Sequence, residues 1–160
     1  MEDKLTGINQ RDGRRYNCGV STVMMVNDKH PLPGFDADVM RILSHTGAGL
    51  SLSGAACGAV VGMATALGLA KGTDGTEPQE EFPKINGENM MAARAIVNEF
   101  REKFGGINCK DLTGLDLSVD EELGKFGGYV ADMKEKANGV HPCDAYLDWA
   151  AQRVVKHLKT

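Results

Sequence analysis

The sequence predicts an all-α fold: a compact helical bundle of about five to six helices, with a glycine-rich helix buried at its centre. Three observations carry this. Apolar residues recur at three- and four-residue spacing in separate segments along the whole chain. Strand-type alternation is weak everywhere. A stretch of 25 residues from Thr46 to Ala70 carries no charge, yet holds six glycines and two serines, which suits a buried helix preceded by a glycine-rich loop better than a membrane span. At 160 residues, the chain is expected to form one domain over 1–160. Residues 1–14 read as a flexible start and 72–87 as a long internal loop.

The elements follow in order. Cys18, Val20, Val23, Met24 and Asn27 share helical spacing, with Asn17 ahead of them as a cap, and Pro31 and Pro33 end the run. Phe35, Val39, Ile42 and Leu43 form one face of a short second helix that Asp36 can cap. A third helix is predicted from about Ser53 to Leu69. There Gly54, Gly58 and Gly62 stand four apart and make one close-packing face, against another helix or a second copy of the chain. A fourth runs from about Glu88 to Phe104, with Ala93, Val97, Phe100 and Phe104 as its buried stripe. After a short turn at Cys109–Leu115, a fifth uses Leu123, Phe126, Val130 and Met133 and is weakened by Gly127-Gly128. The last is predicted from Pro142 to Leu158, with Pro142 at its first position.

Composition narrows the function. The chain is 42% hydrophobic and 25% charged, with a net charge of −4, which is ordinary for a globular protein. An acidic balance with no basic stripe argues against nucleic acid as a partner. The first residues lack the apolar core of a secretory signal, and four cysteines are too few for a disulfide scaffold, so a cytoplasmic protein with reduced thiols is expected and no membrane association. No Ser/His/Asp arrangement is legible, the paired acids Glu80-Glu81 and Glu121-Glu122 fall on solvated segments, and a stand-alone enzyme is not expected. The glycines between Gly47 and Gly54 match neither a dinucleotide fingerprint nor a P-loop and read as a tight connection.

The cysteines are Cys18, Cys57, Cys109 and Cys143, separated by 39, 52 and 34 residues (57−18, 109−57, 143−109). No Cys-x-x-Cys occurs, which excludes zinc-ribbon, thioredoxin and c-type haem motifs, and the ferredoxin spacings are absent too. Each cysteine does fall at or near a predicted helix start: Cys18 after Asn17, Cys109 after Asn108, Cys143 after Pro142, and Cys57 one turn after Ser53. A helix N-terminus favours the thiolate, which is both metal ligand and nucleophile, so Cys57 and Cys143 are expected to have pKa values below about 8.5. Converging helix starts would also suit an anionic iron–sulfur cluster. Free cysteines are equally at home as small buried hydrophobes, and position alone leaves both readings open. His141, two residues before Cys143, is a candidate alternate ligand or proton donor.

The contexts Tyr16-Asn17-Cys18, Cys57-Gly58-Ala59-Val60-Val61-Gly62, Asn108-Cys109-Lys110-Asp111-Leu112-Thr113-Gly114-Leu115-Asp116 and Pro142-Cys143 together resemble the C_GCAxxG_C_C family of redox-active four-cysteine proteins. The resemblance runs from about Arg15 to Leu158. It implies a redox role and makes iron–sulfur chemistry the leading expectation, with Cys18, Cys57, Cys109 and Cys143 as ligands, most simply of a [2Fe–2S] centre serving electron transfer or redox sensing with a partner protein. The alternatives are a cofactor-free dithiol/disulfide protein, and a zinc-bound or structural interaction module that forms a homodimer through the glycine face.

Overall fold

The computed structural model describes residues 10–11 and 14–160. Most of the segment expected to be flexible, residues 1–14, lies outside these. Among the described residues the fold is all-α, with seven helices: α1 (Cys18–Lys29), α2 (Ala37–Leu43), α3 (Gly58–Lys71), α4 (Phe82–Phe104), α5 (Cys109–Thr113), α6 (Asp120–Lys136) and α7 (Asp144–Leu158). Two short strands precede them, β1 (Gln10–Arg11) and β2 (Arg14–Arg15), paired antiparallel with Arg11 opposite Arg14. The helix count exceeds the expected five to six because the Cys109 turn closes into a helix of its own. No helix is long and apolar enough to cross a membrane among the described residues.

Caps set the starts. The Asn17 side chain accepts from the Val20 amide, and its own amide donates to the Leu43 and Ser44 carbonyls, so one residue caps α1 and holds the end of α2 beside it. Asp36 accepts from Asp38 and Val39. Asn108 and Asp111 form a reciprocal box at α5.

The core is a central pair, not a single central helix. α1 buries Gly19 through Val26, and α3 buries Gly58, Ala59, Val60, Gly62, Met63, Ala66 and Leu67. Their contact is the most extensive between any two elements, and α7 packs on both. Glycine makes the approach possible: a Cβ at Gly58 would stand 2.6 Å from the Cys18 Cβ, and one at Gly62 would stand 2.7 Å from the Gly19 carbonyl oxygen. The glycine face is therefore filled within the chain by α1, and no room is left on it for a second copy.

Three boundaries differ from expectation. Gly54 is not on the helix: α3 starts at Gly58, and Gly54 has φ +72°, with its would-be Cβ 3.2 Å from the Leu117 amide nitrogen. It is a close-packing glycine against backbone rather than part of a helical stripe. The loop expected over 72–87 ends sooner, because α4 begins at Phe82 with Pro83 in its first turn, where a proline's missing N–H costs nothing. Pro142 is not the first helical residue, since Cys143 is the N-cap of α7.

The α1–α3 contact gives a paired test. Gly62→Ala should destabilise by about 1–3 kcal/mol through overpacking, lowering Tm by at least about 2 °C for a chain of this size. Gly68→Ala on the exposed side of the same helix meets nothing within 4 Å, and should stabilise by about 0.5–1 kcal/mol. Thermal unfolding of the two variants checks it, and equal Tm values would contradict the packing described.

Candidate thiol and metal centre

Each cysteine reaches the site from the start of a different helix. Cys18 is the first residue of α1, Cys57 the N-cap of α3, Cys109 the first residue of α5, and Cys143 the N-cap of α7. Backbone pairing brings two of them together. An isolated antiparallel bridge joins Ala56 to Asn108, with the Cys57 amide donating to the Ile107 carbonyl at 2.8 Å and the Cys109 amide donating to the Ala55 carbonyl at 2.7 Å. Residues flanking such a bridge point to the face opposite the bridged pair, so Cys57 and Cys109 leave on the same side. The α1–α3 approach adds Cys18, and α7 brings Cys143 close enough for its thiol to hydrogen-bond to the Cys18 sulfur. All four line one cavity of about 720 Å³. Three are buried and Cys18 is half-buried.

The connection from Gly47 to Gly54 closes one side. Ala48, Gly49, Leu50, Ser51 and Leu52 all have φ between +50° and +75°, a left-handed run that is costly for the four residues with side chains. What holds it is local bonding: the Ser51 hydroxyl donates to the His45 carbonyl and the Ser53 hydroxyl to the Gly49 carbonyl. The strain is spent at the site. The run sets the Ala48 amide on the Cys18 sulfur, and a Cβ at Gly49 would stand 2.7 Å from the Cys109 Cβ. The sequence alone presents this segment as a plain connection, and its only signal is the density of glycine.

The thiols are electrostatically unlike. The Cys143 thiol donates to Cys18, which holds the Cys18 pKa below its ordinary value; burial opposes this and the Ala48 amide supports it. The same hydrogen bond, together with burial, drives Cys143 far upward. Burial pushes Cys57 up to about 12, against the opposing pull of the Ala59 and Val60 amides at the start of α3. It pushes Cys109 up to about 11, against the Thr113 hydroxyl. The expectation that Cys57 and Cys143 are low-pKa thiolates is therefore corrected: desolvation of the charged form outweighs the helix start at Cys57, and the hydrogen bond donated to Cys18, with burial behind it, does so at Cys143. Only Cys18, with a donor thiol beside it, stays low.

His141 lies at the cavity, buried, and its Nδ1 accepts from the Cys143 amide at 3.1 Å. Nδ1 is thus the unprotonated nitrogen and Nε2 carries the hydrogen. The backbone amide of His141 is held by the Asp144 carboxylate at 3.3 Å. Burial lowers the imidazole pKa to about 4, so the ring is a neutral donor at physiological pH. As a ligand it would have to give up that Nε2 hydrogen, with Nδ1 already turned on an N–H. The geometry favours the donor role.

Four cysteine sulfurs line the cavity together with His45 and His141, and no Asp or Glu does. Among the described residues, no group of three or more His, Cys, Asp or Glu side chains is assembled as a ready-made site for a metal ion. A family model described as "Putative redox-active protein (C_GCAxxG_C_C)" matches residues 16–157. No curated protein and no solved structure matches the chain.

Two outcomes follow for reduced, metal-free protein. Alkylation at pH 7.5, mapped by mass spectrometry, should label Cys18 first and Cys57 at least about tenfold more slowly, since reactivity follows thiolate fraction. Cys143→Ala should slow Cys18 by removing its donor, while Cys143→Ser, which keeps a hydroxyl, should slow it less. Uniform labelling would contradict the asymmetry. The second concerns stability. His141 binds its proton less well folded than unfolded, so the folded state should lose stability as pH falls from about 6.5 towards about 4. Cys57 and Cys109 keep theirs better folded, so stability should also fall as pH rises from about 9 towards about 12. Denaturant unfolding across pH measures both limbs, and His141→Gln should flatten the acid one.

Proposed function

The chain belongs to the C_GCAxxG_C_C family of redox-active proteins, and we propose that Cys18, Cys57, Cys109 and Cys143 ligate an iron–sulfur cluster that serves electron transfer or redox sensing. The observation that carries this reading is that four cysteines scattered over the chain all face one cavity from four helix starts. The donor chemistry fits: four sulfurs and no carboxylate suit iron–sulfur centres.

Four thiolates from four separate helix starts can serve a single zinc ion or a cluster. A cluster divides its ligands among several irons and spaces them more widely, most simply as a [2Fe–2S] centre. Such a centre, when bound, accepts or releases one electron. The chain's own residues would do the rest. The Ala48 amide would donate to sulfur, His141 Nε2–H would supply a further donor, and the left-handed turn with α6 would limit water. Because three thiols are neutral without metal, loading must release protons. This reading carries with it a reducing compartment such as the cytoplasm, where thiols stay reduced, and an electron-carrying protein as partner.

One observation favours a second reading. The Cys18–Cys143 hydrogen bond sets a low-pKa thiol against a high-pKa one, the arrangement a dithiol uses when it loses two electrons and two protons to an external disulfide and closes an S–S bond of its own.

The test is anaerobic reconstitution with iron and sulfide. Wild type should turn brown and bind iron and sulfide stoichiometrically. Each single Cys→Ser variant should lose most of the visible absorption, while His141→Gln should keep it and shift the reduction potential. A colourless wild-type protein that forms a Cys18–Cys143 disulfide would establish the second reading instead. A cysteine variant with a full spectrum would remove that residue from the ligand set.

A further inference from the structure

The cysteines are only part of the cavity lining. Apolar and aromatic side chains complete it: Leu112 and Tyr146, one turn on from Cys109 and Cys143, and Phe126 and Val130 from α6. The volume, about 720 Å³, falls within the roughly 300–1,000 Å³ of pockets that hold small organic molecules.

Helix α6 explains why that space exists. Its apolar residues Leu123, Phe126, Val130 and Met133 recur at helical spacing and are all half-buried, and the helix buries no residue fully. It packs only lightly on the other elements. Left-handed residues flank it, Gly114 before and Asn138 and Gly139 after. A helix that turns a full apolar stripe inward and packs none of it tightly is a cover standing off from the thiols.

The lining also has a sign. Arg15 is the one lining side chain with a permanent charge, and its charge is felt by His141; the Asp144 carboxylate, bonded to the His141 amide from outside the lining, is felt there too. His141 itself presents an Nε2–H donor.

We propose that this cavity binds a small aromatic carboxylate, its ring between the thiol wall and the Phe126–Val130 face of α6 and its carboxylate towards Arg15. The proposal deepens the redox reading by giving the thiol centre a small-molecule substrate. It rests on that reading for the chemistry at the ring, and on the cavity alone for the binding.

The experiment is calorimetric titration of the full chain, reduced and metal-free, with 2-naphthoate and with its neutral counterpart 2-naphthalenemethanol. Naphthoate should bind at one per chain and the alcohol about tenfold more weakly, the difference that one charge-assisted contact makes. Arg15→Gln should bring naphthoate down to the level of the alcohol and leave the alcohol unchanged. Val130→Trp should fill the space and abolish both, and because α6 holds no fully buried residue its Tm should stay near wild type. Phe126→Ala should weaken both without unfolding the protein. Failure of either probe to bind, equal binding of the two by wild type, or unchanged binding in a folded Val130→Trp protein would overturn the proposal. Iron and sulfide content, measured separately on reconstituted wild type and Arg15→Gln, keeps the two readings apart. Naphthoate binding by a protein that takes up no iron on reconstitution overturns the cluster alone, and iron loading without naphthoate binding overturns this site alone. Reconstituted protein should still bind naphthoate; displacement of one by the other would contradict a ring seated under α6.

Discussion

The site depends on how closely α1 and α3 approach. Gly58 and Gly62 put the backbone of one helix against Cys18, Gly19 and Thr22 of the other, at distances where any Cβ would collide. That approach places the Cys18 and Cys57 starts side by side. It also makes a flat pair on which α7 can lie, which delivers Cys143. Asn17 fixes the same corner from outside by capping α1 and gripping the end of α2, and from there the chain enters the left-handed turn that carries the Ala48 amide. α5 has little packing of its own and is held through the Ala56–Asn108 bridge instead. Four cysteine positions thus hang on one helix contact and one backbone bridge, and overfilling the contact should disturb all of them together.

The electrostatics of the thiols follow from the same tight packing. A helix start lowers a thiol's pKa modestly, whereas removal from water raises it by more. At Cys57 and Cys109 burial dominates, at Cys143 the hydrogen bond to Cys18 leads with burial behind it, and those thiols keep their protons. Cys18 escapes because its neighbour donates a hydrogen bond and the strained turn adds an amide. A site of mostly neutral thiols is easier to keep folded without metal than four buried thiolates would be, since repulsion among like charges in a low-dielectric cavity is avoided. The same feature singles out Cys18 as the first sulfur expected to react with an alkylating agent or a disulfide, and would make the proposed metal loading pH-dependent.

Much of this was legible in the residues. The all-α class, the caps at Asn17, Asp36 and Asn108, and the placing of Cys18 and Cys109 at helix starts follow from local rules that the structure respects; Cys57 and Cys143 also stand at helix starts, but as the N-caps themselves, where local rules begin the helices at Ser53 and Pro142. Gly58 and Gly62 announced a close contact by their spacing, although only the fold could show that α1 fills it. What was hidden is non-local or against propensity. Nothing in Ala48, Leu50, Ser51 or Leu52 favours φ > 0, so the left-handed turn was unreadable, and with it the position of Gly54 outside α3. Thiol pKa depends on burial and on which sulfur faces which, and both come from residues far apart in sequence. The cavity has no linear signature, because its walls are shared among segments from Arg15 to Tyr146.

The central claim is that one redox centre is shared by all four cysteines. Diffraction from anaerobically reconstituted crystals, collected on both sides of the iron absorption edge, tests it most directly. The account predicts anomalous peaks for iron inside the cavity, within bonding distance of the sulfurs of Cys18, Cys57, Cys109 and Cys143. A cavity without iron and a covalent Cys18–Cys143 bond would contradict it.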